Sequence, residues 1–190
     1  MYKNCEPRTL SPGNTPCKWT QFGLQAVLDA VVTHMYEDEI ISYRPSDQQD
    51  IVQFFRAAFE AMGFSFDLSS KDADLKNIPG AYQSNAGLFL LARRRGKLIG
   101  TIAIRDIGGN ACELKRFYVA SEHQRRGVGS SLLKRAVDYA KNGRWSCIRL
   151  DTSFRSAAGI SLFRKHGFVE IPRYNDDPFA EIFMELKASG

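Results

Sequence analysis

The sequence predicts one α/β domain with a mixed, mostly antiparallel central sheet and flanking helices. Residues 88–119 are rich in residues that suit strands and are interrupted by turns at Gly96 and Gly108, which predicts an antiparallel meander. Residues 127–142 then show the helical spacing of apolar side chains, and residues 147–151 form a short apolar segment. A strand, a helix and a strand in this order predict a right-handed crossover and one parallel pair.

The other elements follow in chain order. Glu39 to Arg44 suits a strand that ends at Pro45, and the apolar spacing after it predicts a helix to about Met62. The meander strands are predicted at 88–94, 97–106 and 111–119, and the remaining elements are a short helix within 69–77, a helix over 156–166 and strands over 168–171 and 180–186.

Residues 1–38 are expected to form a leader and an extra helix, apart from the domain at residues 39–190. Prolines and a glycine interrupt residues 1–18 and oppose regular structure, so this part is interpreted as a flexible leader. Residues 19–35 repeat apolar side chains at helical spacing, which predicts a helix that packs on the domain or on a neighbouring molecule.

Composition and charge favour an ordinary globular protein with an anionic ligand. The 190 residues are 44% apolar and 25% charged, with a formal charge of +5. Nucleic-acid binders usually concentrate Lys and Arg more strongly, and no apolar run reaches the ~20 residues of a membrane span. Cys5, Cys17, Cys112 and Cys147 lack the spacing of a metal site or a disulfide framework. We therefore expect a cytoplasmic protein with no metal, no nucleic-acid partner and no membrane association.

The most informative segment is the turn between the last meander strand and the long helix. It runs from Gln124 through Arg125 and Arg126 to a pair of glycines, Gly127 and Gly129. The N–H groups at a helix start have no partner within the helix, and the helix dipole adds partial positive charge, so an anion binds well there. Glycine also lets an anion approach the backbone closely.

Other phosphate-binding motifs do not fit this turn. A P-loop has Lys after its last glycine, where this chain has Ser130, and a dinucleotide fingerprint has a third glycine, where this chain has Leu132. Taken alone, the glycine pair is equally compatible with a tight helix start that binds no ligand.

Two motifs resemble the GNAT superfamily of N-acetyltransferases. The run ELKRFYV at 113–119, followed by QRRGVG at 124–129, is similar to its acyl-CoA-binding motif, and SLFRKHGF at 161–168 is similar to its helix that ends in a Gly-Phe pair. The order of elements from about residue 40 to residue 186 is similar as well. The resemblance implies a GNAT-like acyl-CoA N-acyltransferase fold over residues 39–190 and an acetyl-CoA-dependent N-acetyltransferase.

The resemblance also implies which residues bind the co-substrate, acetyl-CoA. Two strands of the superfamily splay apart, and the pantetheine arm pairs with the strand backbone in the gap. At two family positions that often hold Asn and Tyr, this chain has Ser156 and Phe163. The expected acetyl-CoA-binding residues are Phe117, Tyr118, Val119, Gln124, Arg125, Arg126, Gly127, Val128, Gly129, Ser130, Ser156 and Phe163.

Amine acetylation needs a base to deprotonate the ammonium, and Glu113 is the first candidate. Some members of the superfamily carry a catalytic glutamate at this position, and a carboxylate there could act through a water. The alternative is a structural Glu113 that pairs with Arg116 or Lys115 or faces solvent. Because Phe163 replaces the usual tyrosine, Tyr174 is the candidate general acid, with Tyr118 and Tyr82 as alternatives. The alternative role for Tyr174 is aromatic packing or anchoring of its loop.

The acceptor is expected between the loops 68–85 and 171–179. Acidic side chains there suit a cationic amine, and Arg173 would suit a substrate carboxylate. This mixture favours a small amino compound with a primary amine, and a protein amino group is the alternative acceptor. A second hypothesis for the whole chain is a non-catalytic acyl-CoA sensor or partner-binding module. Exposed strand edges are compatible with a homodimer. The acceptor-loop candidates are Asp72, Asp74, Tyr82, Arg173, Tyr174, Asp176 and Asp177.

Overall fold

The computed structural model describes residues 38–188, so the expected leader and extra helix lie outside the described residues. One seven-stranded sheet has the order β1-β2-β3-β4-β5-β7-β6. Every adjacent pair is antiparallel except β4 and β5, which are parallel. This confirms the mixed, mostly antiparallel sheet. The strands are β1 Glu39–Ser42, β2 Leu88–Arg94, β3 Lys97–Gly108, β4 Ala111–Val119, β5 Cys147–Thr152, β6 Val169–Glu170 and β7 Ile182–Lys187.

Helices cover both faces of the sheet. Helix α1 spans Gln48–Ala61, α2 spans Val128–Lys141 and α3 spans Ala157–Lys165. The apolar residues of α2 and α3 pack against one face of strands β2 to β5 and form a single core with them. Phe55 and Phe59 of α1 belong to a second core on the opposite side, together with apolar residues of the loop that follows α1.

A bulge in β4 changes which face its side chains occupy. Thr101 pairs with Tyr118 and Ala103 pairs with Lys115, so two residues of β4 lie opposite one residue of β3. The extra residue is Arg116, with a left-handed φ of 52°, and its carbonyl accepts a 2.7 Å hydrogen bond from the Thr101 hydroxyl. An inserted residue shifts the two-residue alternation of a strand.

The parallel strands β4 and β5 separate after a short contact. Among the described residues their register covers Ala111 to Glu113 of β4 and Cys147 to Arg149 of β5. Beyond it β5 continues to pair with β7 as far as Thr152, whereas β4 continues along β3. A gap therefore opens between the carboxyl halves of β4 and β5, where the sequence predicts the acetyl-CoA site.

Three further features of the described residues bear on function. Cys112 and Cys147 are buried thiols in neighbouring strands. Within residues 38–188 no helix combines the length and apolar character needed to cross a membrane, and no group of three or more His, Cys, Asp or Glu side chains is arranged to hold a metal ion.

Gly87, which connects the loop after α1 to β2, provides a test of how that loop packs on the sheet. A Cβ atom at Gly87 would lie 1.8 Å from the carbonyl oxygen of Tyr82 and 2.7 Å from that of Ile104. We expect Gly87→Ala to lower the free energy of unfolding by about 3 kcal/mol, because backbone must move to admit the methyl group. Urea unfolding monitored by circular dichroism measures this change.

Gly96→Ala is the matched control for Gly87→Ala. Gly96 has a φ of +76°, and a Cβ atom there would have no described atom within 4 Å. The control therefore tests backbone strain without a clash and should cost about 1 kcal/mol. Equal losses in both variants would show that the Tyr82 carbonyl yields easily to the new methyl group.

Candidate active site

The turn before α2 has the form of an open anion site. Gly127 is the N-cap residue of α2 with a left-handed φ of 87°, and no described side chain caps the helix there. A Cβ at Gly127 would meet no described atom within 4 Å. Arg125 and Arg126 beside it are exposed. The N–H groups of the first helical turn are thus directed to open space next to two cations, as an anion requires.

Gly129 has a packing role in addition to its predicted one. A Cβ there would lie 3.3 Å from the ring of Phe117, 3.5 Å from Leu162 and 3.7 Å from Val119. Its missing side chain therefore lets β4 approach the helix layer, in addition to any room it leaves for a ligand. The Gln124 amide donates a 3.0 Å hydrogen bond to the Val119 carbonyl, which ties the turn to the end of β4.

Phe117 and Tyr118 lie on opposite faces of β4. Phe117 packs on the core beneath α2 and α3, as does Val119. The Tyr118 ring lies 5.1 Å from Phe55 and 5.4 Å from Phe59 of α1, between ring centroids. Burial raises the pKa of the Tyr118 hydroxyl, so this tyrosine is a weak proton donor at neutral pH.

The remaining residues predicted to contact acetyl-CoA lie around the start of α2 and in α3. Val128, the first residue of α2, is buried. The Ser130 hydroxyl oxygen is 3.3 Å from Nε2 of His166. Ser156 is the exposed N-cap of α3. Phe163 is 4% exposed, and its ring packs against those of Phe117 and Phe168. Phe163 therefore belongs to the apolar core on which the end of β4 packs.

Glu113 is the centre of a buried polar network. Its side chain is 1% exposed. Oε2 accepts a 2.7 Å hydrogen bond from Nε of Arg105, and Nη2 of the same guanidinium forms an ion pair with it at 2.6 Å. Oε1 accepts one from the Tyr174 hydroxyl at 2.8 Å and one from the Asn175 amide at 3.2 Å. The carboxylate is therefore paired with Arg105, instead of the Arg116 or Lys115 considered from the sequence.

Tyr174 is held so that its hydroxyl points at Glu113. Its ring packs edge-on against Phe183 at 5.6 Å, and the Arg149 guanidinium lies 5.5 Å from its centroid. Burial, and then the negative charge of Glu113, raise the pKa of this hydroxyl. It keeps its proton at neutral pH, and it is a poor acid toward a thiolate whose conjugate acid has a pKa of about 8.5.

A second carboxylate, Asp151, lies at the gap between β4 and β5. Both of its oxygens are 3.2 Å from Nζ of Lys115, and Oδ2 accepts a 2.6 Å hydrogen bond from the Asn175 amide. Asn175 thus bridges Glu113 and Asp151. Asp177 completes the group, with one oxygen 3.9 Å from the Lys115 nitrogen. We call Lys115, Asp151, Asn175 and Asp177 the polar floor.

Sequence reasoning missed Arg105 and Asn175, for different reasons. Arg105 is the register partner of Glu113 across the β3–β4 hairpin, and counting back from the turn at Gly108 would have found it. Asn175 lies 62 positions from Glu113 in the sequence, on a loop whose path no local pattern specifies.

Arg116 binds the loop that follows α1. Its guanidinium contacts Asp72 at 2.9 Å and Asp74 at 2.8 Å, and the Tyr82 hydroxyl donates to Asp74. Burial alone would raise the pKa of Asp74, but the hydrogen bonds and charge of Arg116 outweigh it, so this pKa lies below its usual value. These side chains were expected at the acceptor, and the structure uses them to anchor the loop to the bulge.

A family model described as the acetyltransferase (GNAT) family matches residues 49–168. The chain belongs to this family. It is 27% identical over 148 residues to an uncharacterized N-acetyltransferase of Schizosaccharomyces pombe, covering 76% of this chain and 91% of the relative. It is 37% identical over 101 residues to the IAA acetyltransferase of Azospirillum brasilense, covering 51% of this chain and 65% of the relative. The chain is thus an acyltransferase, which favours the enzyme over the binding-module hypothesis.

Solved structures agree with the GNAT fold. A GNAT acetyltransferase of Staphylococcus aureus Mu50 superposes with a TM-score of 0.72 at 22% identity, covering 80% of this chain and 99% of that one. The acetyltransferase YncA of Salmonella typhimurium, solved with acetyl-CoA, superposes with a TM-score of 0.61 at 21% identity, covering 80% and 94%. The match to longer relatives is partial, since a rat N-acetyltransferase family 8 member is covered over 45% of its length.

The GNAT loop between β6 and β7 is shaped by Arg173. Its guanidinium donates to the carbonyls of Asp177 at 3.0 Å and Ala180 at 2.9 Å, and it lies 4.7 Å from the centroid of Phe183. Arg173 was expected to bind a substrate carboxylate, but these contacts use it to fold the loop that carries Tyr174 and Asn175.

Arg116→Gln tests the anchoring of the acceptor loop in this GNAT enzyme. Removing the cation leaves Asp72 and Asp74 without their partner, and we expect a loss of about 3 kcal/mol in the free energy of unfolding near neutral pH. Lys134→Gln, which breaks an exposed pair with Asp138, is the control and should cost under about 0.5 kcal/mol.

The loss in Arg116→Gln should depend on pH. The lowered pKa of Asp74 stabilises the wild type above the usual carboxyl pKa of about 3.9, and this contribution is lost as pH falls through the lower folded-state value. Without Arg116, burial raises that pKa, so the variant is destabilised further as pH rises. The stability gap should therefore widen between pH 3 and pH 6. A constant gap would contradict the assigned charge of Asp74.

Proposed function

We propose that the protein transfers the acetyl group of acetyl-CoA to the primary amine of a small amino compound. The observation that carries the proposal is the position of the open turn at Gly127, which adjoins the gap between β4 and β5. The turn is tied to the end of β4 by the Gln124–Val119 hydrogen bond, and Glu113 lies earlier on the same strand, at the last residue that pairs with β5. An anion site and a carboxylate network carried by one strand suit a phosphorylated acyl donor and a cationic acceptor.

The residues around the turn fit the donor. The uncapped start of α2 and the exposed Arg125 and Arg126 would hold its pyrophosphate, and the β4 backbone from Phe117 to Val119 would pair with its pantetheine amides. Acetyl-CoA bound there supplies an acetyl thioester, which is activated for attack by an amine. The acetyl-CoA found with the Salmonella relative supports this choice of donor.

Glu113 and Tyr174 together supply the base. The acceptor ammonium must lose a proton before its nitrogen can form the amide bond. The Tyr174 oxygen accepts that proton while its own proton passes along the 2.8 Å hydrogen bond to Glu113. Arg105 holds the other carboxylate oxygen, Oε2, so the proton from Tyr174 is transferred to Oε1. The leaving thiolate needs no side-chain acid, because a thiol of pKa about 8.5 departs readily.

The acidic members of the polar floor favour a small amine as acceptor. Asp151 and Asp177 both lie beside Lys115, so the floor carries more negative than positive charge. It therefore attracts the ammonium group of an acceptor in addition to that of Lys115. Asp151 is the carboxylate nearest to the gap between the strands. A protein amino group is the alternative acceptor, and product analysis by mass spectrometry separates the two.

Glu113→Gln and Tyr174→Phe test the proton route. We expect Glu113→Gln to lower kcat by about 100-fold or more, and Tyr174→Phe by about tenfold, with the pH dependence of kcat displaced in both. Thiol release from acetyl-CoA with a panel of primary amines measures these rates.

Glu170→Gln is the control for the proton-route variants. Glu170 of β6 pairs with Arg164 of α3, and both side chains are more than half exposed, so kcat should stay within about twofold. If Glu113→Gln is destabilised but retains its kcat, Glu113 is an ion partner of Arg105 and no base.

Gly127→Val tests the donor site. A β-branched residue is strained at the φ of 87° and disturbs the start of α2, so the Kd for acetyl-CoA should rise at least about tenfold. Gly108→Val is a matched control, because Gly108 has a φ of +79° with no described atom within 4 Å of its Cβ and lies at the far end of β3. Calorimetric titration with acetyl-CoA measures both. Equal affinity in the two variants would argue against binding at this turn.

A further inference from the structure

The proposed acceptor site has an aromatic rim as well as a polar floor. We infer that the acceptor amine carries an apolar, aromatic-sized body, which the side chains of Phe64, Phe154 and Phe179 contact. This inference rests on the proposed acetyl transfer and names the class of amine that it uses.

The rim consists of exposed phenylalanines from different loops. The exposed fractions are 44% for Phe64, 65% for Phe154 and 73% for Phe179. Phe64 follows α1, Phe154 follows β5, and Phe179 belongs to the loop between β6 and β7. Single exposed apolar residues are common on protein surfaces. Exposed phenylalanines on three loops that are linked by contacts to one another and to the polar floor are a candidate ligand-binding surface.

Phe179 is joined to the polar floor through Asp177. The Phe179 N–H donates a 2.9 Å hydrogen bond to Oδ1 of Asp177, and Oδ2 of the same carboxylate is 3.9 Å from Nζ of Lys115. The Asp177 carboxylate therefore lies between the Phe179 backbone N–H and the Lys115 ammonium. A bound amine at this floor would have the Phe179 ring within reach of its substituent.

Phe154 and Phe64 are linked to the same group of loops. Phe154 follows Asp151 by three positions, and its N–H donates a 3.0 Å hydrogen bond to Glu181, which fixes it beside the β6–β7 loop. The Arg155 guanidinium lies 5.9 Å from the centroid of Phe64. This contact joins the loop after β5 to the loop after α1.

The combination of floor and rim selects an amphipathic amine. The ammonium would pair with Asp151 and Asp177, and the substituent would cover phenyl surface that is otherwise in water, worth about 25 cal/mol for each Å² of apolar surface buried. A short polar amine would leave the rim uncovered. The Arg155–Phe64 contact, which joins two of the loops, favours a compact amine over an extended polypeptide.

Paired amines and rim variants test this inference. With 2-phenylethylamine and ethylamine as acceptors at saturating acetyl-CoA, we expect kcat/KM to be at least about 30-fold higher for 2-phenylethylamine, since apolar contacts discriminate by about 10- to 200-fold. Phe179→Ser and Phe154→Ser should each lower that ratio about tenfold through KM, while kcat/KM for ethylamine stays unchanged. Ile107→Ser, an exposed apolar residue at the far end of β3, should leave both unchanged.

The outcomes separate this inference from the function on which it rests. Equal or better use of ethylamine, of a polyamine or of a peptide amino terminus would overturn the aromatic acceptor and leave acetyl transfer intact. Acetyl-CoA binding without turnover on any amine would overturn both. Calorimetric titration of 2-phenylethylamine into the CoA-bound protein gives a second readout, in which Phe179→Ser should weaken binding about tenfold and unchanged binding would contradict the rim.

Discussion

The bulge at Arg116 is the constraint on which the rest of the site depends. Glu113, Lys115, Phe117 and Val119 occupy alternate positions of β4, so a regular strand would place them all on one face. The extra residue moves Phe117 and Val119 into the core beneath α2 and α3, while Glu113 stays on the face of Tyr174 and Asn175. One strand can therefore direct its end toward the helices α2 and α3 and its polar side chains toward the loops on the opposite face of the sheet.

Two arginine–carboxylate groups hold this arrangement in place. Arg116, at the bulge, binds Asp72 and Asp74 of the loop after α1, and Arg105 binds Glu113 on the strand. Buried carboxylates are costly unless they are paired and hydrogen-bonded. Because each guanidinium offers a rigid fork of donors, it fixes the orientation of its carboxylates as well as neutralising them. The loop after α1 and the Glu113 carboxylate are thus positioned by ion pairs, whereas the end of β4 beneath α2 is positioned by apolar packing.

Local sequence patterns predicted the turn before α2 more completely than they predicted the loops proposed for the acceptor. The glycine pair and the helical spacing after it located the start of α2 at Val128, beside the predicted Gly127. They could not assign separate roles to the two glycines, because the packing of Gly129 on Phe117 depends on where β4 lies. On the acceptor side, Asp72, Asp74 and Arg173 were assigned to substrate from their charge alone, and the structure gives them partners within the protein.

The sequence by itself determined the order of helices and strands, the mixed sheet and the open turn before α2. These features follow from the period of apolar side chains and from glycines, both of which act over a few residues. Only the tertiary structure decided which charges meet. Glu113 finds Tyr174 and Asn175 more than 60 positions away, and Arg116 finds Asp74 at a separation of 42. Such pairings depend on how the loops pack on the sheet, and ion pairs carry no periodic signal that a sequence could reveal.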